Sequence, residues 1–271
     1  MPKIARPAIL LVSVGAAAEK GAPALLNFGK KVETAFPNHI IRWAFTMPHT
    51  GKRPLFQGER GASVDEAFMR LVAENHMHIV VLPLHLVDGL EHATLSRQIE
   101  ILRQKHPKTM VSLGSPLLTD EASIRAALKA MQLAAPPFSD EIPDPEEAVA
   151  WVGHGSTPPH DAAYRQLATL AEMLTPRHYV GCLIGCRSAD ETLAALMKDG
   201  WKKVCLMPLF TLAGHHAAND LGGDGPDSWR SRLHRAGIKS RIHLRGMLEH
   251  EAFAAMWLDR LREALQKSQP T

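Results

Sequence analysis

The sequence predicts an α/β fold of two pseudo-symmetric lobes, each a small parallel sheet flanked by helices. Three observations carry that expectation: short β-branched runs alternate with helical-period segments, a proline- and acid-rich stretch interrupts them near the middle, and one strand-loop pattern occurs on both sides of the interruption.

In chain order, strands are expected at 8–14, 40–45, 79–84 and 109–113, with helices around 25–36, 64–74 and 95–105. Strands separated by helices pair in parallel, because a crossover helix returns the chain to the same end of the sheet. The segment APPFSDEIPDPEE then reads as a boundary, giving an N-terminal lobe over 1–135, a linker over 136–147 and a C-terminal lobe over 148–271. Strands resume at 149–152, 179–184, 204–209 and 240–244.

The halves also match in detail. ILLVSVGA lies over VAWVGHGS, and IVVLPLHLVDGLEHA over VCLMPLFTLAGHHAA, so that Val14 corresponds to His154, Glu91 to His216 and His85 to Phe210. Ligands of open α/β sheets bind beyond the carboxyl ends of the strands, which places the expected cleft between the lobes.

Composition narrows the function classes. The 271 residues carry 31 basic and 28 acidic side chains, a formal charge of +3, too balanced for a nucleic-acid surface. No run approaches the ~20 apolar residues of a membrane helix. The three cysteines, Cys182, Cys186 and Cys205, give no paired framework and suit a reducing compartment, so a cytoplasmic protein is expected. Homo-oligomerisation is left open. Fifteen histidines are the compositional oddity and direct attention to metal binding and proton transfer.

Two histidines sit at corresponding lobe positions. Gly153-His154-Gly155-Ser156 follows an apolar strand, where the glycines are expected to turn the backbone and expose the imidazole; Gly214-His215-His216 follows LMPLFTLA in the same way. First-row divalent ions accept imidazole, and only the neutral ring can ligate, so one side chain can hold a metal or take a proton. Insertion of a metal into a free tetrapyrrole needs both, since the ion must shed water while two pyrrole N–H protons leave. Glu91, expected in the loop after PLHLVDG, would be a carboxylate partner. A hydrolase built on Ser156 would need a Gly-x-Ser-x-Gly elbow and a placed acid, and the sequence offers neither.

The ordering VSVG, RWAFT, LPLHLVDGLE, VGHGS, LMPLFTLAGHHAANDLGGDGPDSW resembles the anaerobic sirohydrochlorin cobaltochelatases of the CbiK type, the class II tetrapyrrole chelatases, over nearly the whole chain. The resemblance implies a chelatase-like fold, sirohydrochlorin as substrate, Co²⁺ as the metal inserted (with Fe²⁺ or Ni²⁺ as alternatives) and no nucleotide. It puts the family's metal-site histidines at His154 and His216 and its N-terminal-lobe glutamate at Glu91. The absence of a Gly-x-x-x-x-Gly-Lys-Ser/Thr sequence agrees with nucleotide independence.

The chain departs from the family where a further metal-site glutamate is usual: that position is Ile184, within Val180-Gly181-Cys182-Leu183-Ile184-Gly185-Cys186-Arg187. Cys182 and Cys186 would flank it on one face of a strand and offer thiolates, and His215 stands beside His216; alternatively the cysteines are small buried hydrophobes and His215 points away. A non-catalytic tetrapyrrole or metal carrier on the same fold is the competing function. In the first lobe, His49, Lys52 and Arg53 follow the second strand and would meet substrate carboxylates, or else form a solvated basic loop.

Overall fold

A computed structural model describes residues 6–14, 18–46, 55–135, 146–185, 187–214 and 217–268. In chain order its elements are β1 (Ala8–Val14), α1 (Ala18–Ala35), β2 (Ile41–Thr46), β3 (Leu55–Phe56), β4 (Glu59–Arg60), α2 (Val64–Ala73), β5 (His78–Pro83), α3 (Leu90–Lys105), β6 (Met110–Leu113) and α4 (Glu121–Ala134). The second series is β7 (Glu147–Ser156), α5 (Ala162–Leu174), β8 (His178–Gly185), α6 (Ala189–Lys198), β9 (Lys203–Leu209), α7 (Trp229–Arg235), β10 (Lys239–Ile242) and α8 (Glu251–Lys267). None of the described helices is long and apolar enough to cross a membrane.

Two four-stranded parallel sheets result, ordered β2-β1-β5-β6 and β10-β9-β7-β8. Numbered within its own series, each runs 2-1-3-4. The repeat read from sequence is therefore a repeat of topology, and each sheet reverses its winding between its two central strands, β1 with β5 and β7 with β9. At such a reversal the crossover helices leave toward opposite faces, opening a crevice at the carboxyl ends of those strands.

Each unit has its own core. In the first sheet, Ala8, Leu10 and Val12 of β1 and Ile79 and Val81 of β5 pack with Phe68 and Leu71 of α2 and Leu95 and Ile99 of α3. Ile9 and Leu11, on the opposite face of β1, are buried as well, as a parallel sheet covered on both sides requires. Helix α2 starts on a capping box, with Ser63 accepting from the Glu66 backbone and Glu66 from the Ser63 backbone, worth about 1 kcal/mol. In the second sheet, Ala148, Ala150 and Val152 pack with Leu196, Trp229 and Leu233, while Trp151 turns to the other face against Phe253, ring centroids 6.1 Å apart.

Three expectations need correction. Residue 147 is not linker: Glu147 opens β7, is buried, and binds Arg241 of β10 through contacts of 2.9, 3.1 and 2.9 Å. Strand β7 does not end at 152 but pairs with β8 through Ser156, because Gly153, Gly155 and Ser156 remain in register with Cys182, Ile184 and Gly185. Helix α3 begins at Leu90, five residues earlier than periodicity indicated, since Leu90 and Ala93 of its first turn are exposed and the buried apolar stripe starts only at Leu95. The β3–β4 ribbon was not foreseen; its two-residue strands are too short to alternate.

Contacts divide the chain into one unit of 1–117 with 254–271 and another of 118–253. Helix α4 thus belongs with the second sheet and nearly all of α8 with the first, where Arg260 donates to the Leu117 carbonyl at 2.9 Å.

Candidate functional site

The carboxyl end of β7 is built around glycines that bring two backbones together. A Cβ on Gly155, whose φ is +78°, would lie 2.0 Å from the Ile184 carbonyl oxygen and 2.7 Å from the Cys182 Cβ. A Cβ on Gly185, at the same φ, would lie 1.8 Å from the Ser156 carbonyl oxygen. The left-handed conformation and the close approach both require glycine. Between these contacts His154 is half-buried, its Nδ1 3.3 Å from the Gly155 carbonyl oxygen. The imidazole is therefore presented by a paired strand end rather than by a free turn, and a strand positions a ligand more rigidly than a loop does.

Opposite Gly155 in the register stands Ile184, 46% exposed at the carboxyl edge of the sheet. It supplies neither lone pair nor proton acceptor. Cys182 is 1% exposed, which fits a small packing residue better than a thiolate ligand. Its N–H donates to the Arg187 carbonyl at 2.8 Å, closing the chain after β8, and Arg187, at φ 57°, pairs with Glu172 at 2.8 Å. Cys186, His215 and His216 lie outside the described residues, as do His49, Lys52 and Arg53. The loop after β9 runs to Gly214, and a π-helical turn spans Ala217–Leu221.

In the first unit Glu91 is exposed on the first turn of α3, not in a loop, where its charge complements the helix N-terminus. His85 and His92 are buried with their rings perpendicular, centroids 5.8 Å apart. Burial, reinforced by His92, pushes His85 down to about 4. Burial also lowers His92, against Asp88, which acts to raise it. Among the described residues no three His, Cys, Asp or Glu side chains converge on one point.

The sequence reading overlooked a second imidazole pair in the unit that carries His154. His243 and His250 have ring centroids 6.0 Å apart, and the Nε2 atom of each is buried with no hydrogen-bond partner. Burial, then Arg245 and His243, hold His250 down to about 4. Six residues lie between the pair and neither adjoins a recognisable motif, so sequence offered no signal for it.

Comparison with known proteins gives a consistent result. A family model described as cobalt chelatase (CbiK) matches residues 7–266. The sirohydrochlorin cobaltochelatase CbiKC of Nitratidesulfovibrio vulgaris is 34% identical over 257 residues, covering 95% of this chain and 90% of that protein. The sirohydrochlorin cobaltochelatase of Salmonella typhimurium is 31% identical over 203 residues, 74% of this chain and 73% of its own. Among solved structures, SirB from Bacillus subtilis with Fe³⁺ superimposes with a TM-score of 0.67 at 19% identity, over 97% of each chain, a likeness of fold.

Proposed function

Because the chain belongs to the cobalt chelatase (CbiK) family, we propose that it inserts Co²⁺ into sirohydrochlorin without a nucleotide, using His154 and His216 to handle the ion and Glu91 as a carboxylate partner. The observation that carries this reading is relatedness to a sirohydrochlorin cobaltochelatase over 95% of the chain, together with an imidazole fixed at the carboxyl end of β7. Balanced, the reaction joins Co²⁺ to the free macrocycle and releases two protons from its pyrrole nitrogens. His154 in its neutral form supplies a lone pair, either to the ion as it loses water or to a departing proton. Fe²⁺ and Ni²⁺ share a preference for imidazole, so the choice of Co²⁺ rests on the relatives.

A second reading, a tetrapyrrole or metal carrier without turnover, is favoured by one observation: Ile184 presents hydrocarbon at the strand end where the family resemblance calls for a carboxylate. One assay separates the two. Purified protein, sirohydrochlorin and Co²⁺ are mixed without ATP, and metallation is followed by absorbance beside the Ile184→Glu variant. The chelatase reading expects wild-type metallation faster than the protein-free control. Tight macrocycle binding with no acceleration in the wild type, and acceleration only in Ile184→Glu, would establish the carrier.

A further inference from the structure

We propose that the groove between α7 and the edge strand β10 binds a small phosphate monoester, with Arg235 and Lys239 holding the phosphate. The site goes beyond metal insertion and does not depend on it.

Charge singles out this stretch. The whole chain has a formal excess of +3, yet residues 228–245 carry six Arg and Lys side chains and no carboxylate. Four of the six are engaged. Arg230 pairs with Asp224, Arg232 with Asp190 and Asp227 at 2.8 and 3.0 Å, and Arg241 with Glu147, while Arg245 donates to the Glu249 carbonyl at 2.7 Å. Arg235 and Lys239 have no side-chain partner among the described residues, and both line one cavity.

That cavity measures about 660 Å³, within the range of small-ligand sites, and Arg230, Ser231, Ile238 and Ser240 complete its walls. Cations at a helix end often serve only to offset its dipole. Here the last carbonyls of α7 are already satisfied, because the N–H groups of Ala236, Gly237 and Ile238 donate to Arg232, Leu233 and His234. Along β10, the Lys239 and His243 N–H groups donate to Lys202 and Leu206, each at 2.9 Å, so alternation turns the Ser240 N–H toward the open edge of the sheet.

These donors suit phosphate better than a carboxylate. A phosphate monoester carries about −1.5 to −2 charge near neutral pH and three acceptor oxygens, matching two free cations, two serine hydroxyls and an edge N–H. At the far end of the groove, Asp224 and Arg230 offer an acceptor and donors to hydroxyl groups of the organic part. An acidic peptide added along β10 is disfavoured, since the strand has only four residues and its edge is charged. Lys239 stands in register with Lys203 and Glu147, seven residues before His154 on β7, or about 23 Å along the strand. The phosphate clamp is therefore distinct from the candidate metal site.

The test is isothermal titration calorimetry of the full chain at low ionic strength with glycerol phosphate, beside acetate and a polyglutamate peptide. Glycerol phosphate is expected to fill one saturable site, weakened about fivefold in Arg235→Gln and in Lys239→Gln and lost in the double variant. Arg262→Gln, at a surface arginine paired with Asp259 in the other unit, is expected to leave binding unchanged. Arg235 and Lys239 are exposed, so the variants should melt like wild type and lost binding reports the site. Wild-type affinity in the double variant, or no saturable binding in wild type, would overturn the proposal. Acetate bound as tightly as glycerol phosphate would also overturn it. So would polyglutamate bound more tightly through the same two residues, which would make the occupant an acidic chain.

Discussion

The two sheets share a winding order but not the chemistry at their carboxyl ends. In the first, β1 ends in Val14, and the loop after β5 buries His85 against His92. In the second, β7 carries a half-buried imidazole at the position of Val14, locked by glycines against β8, and the loop after β9 leads to His215 and His216. Strand order follows from which faces are apolar, and both halves satisfy that with Val, Leu, Ile and Ala. End residues are free of this constraint, so one duplicated scaffold can carry different side chains at the strand ends of its two halves.

The comparison can be broken at its most demanding contact. Glu147 is buried and gripped by Arg241 across the second sheet, so Glu147→Ala, which removes these charge-assisted hydrogen bonds while the exposed guanidinium stays solvated, is expected to destabilise the second unit by about 2 kcal/mol in urea unfolding. An unchanged midpoint would remove the pair from the account. The glycine lock comes next. Gly155→Ala forces a Cβ against the Ile184 carbonyl at φ +78° and is expected to cost about 3 kcal/mol, whereas Gly58→Ala, at φ +82° with open space around it, incurs only the backbone strain, about 1 kcal/mol. Equal losses at the two positions would deny that β7 and β8 are pressed together.

Acid distinguishes the units least. His85 in the first unit, and His178 and His250 in the second, are each lowered to about 4, chiefly by burial. An unfolded imidazole titrates at its ordinary value of 6.5, so between these limits the unfolded chain binds more protons and stability falls as the pH is lowered. For His85 the loss from pH 7 to 4.5 is expected to be about 2 kcal/mol, and His85→Gln should flatten the slope in urea titrations. A wild-type slope preserved in the variant would show that the ring is solvated.

Much of this was legible in the sequence because it depends on short-range pattern. The strands of both sheets follow from β-branched runs, and the overlay of PLHLVDG with PLFTLAG led to the common topology. What escaped has physical reasons. The buried apolar stripe of α3 begins only at Leu95, which hid Glu91 of the first turn in an apparent loop. Glycines around His154 read as a turn, yet their absent side chains serve strand pairing with β8. Helices α4 and α8 fall to the units opposite to those their chain positions suggested, because residence is decided by packing. The His243–His250 pair depends on a turn hydrogen-bonded to residues 37 positions earlier, Met247 to Phe210 and Leu248 to Thr211, which no local pattern records.

The claim that catalysis resides at the second sheet's strand end is tested most directly by measuring metallation of sirohydrochlorin by Co²⁺ for His154→Ala and for Val14→Ala in parallel. The account predicts a fall of about 100-fold or more for His154→Ala, in the range of a lost acid–base or ligand group, and a rate within about twofold of wild type for Val14→Ala. Equal rates for the two variants, both near wild type, would contradict it.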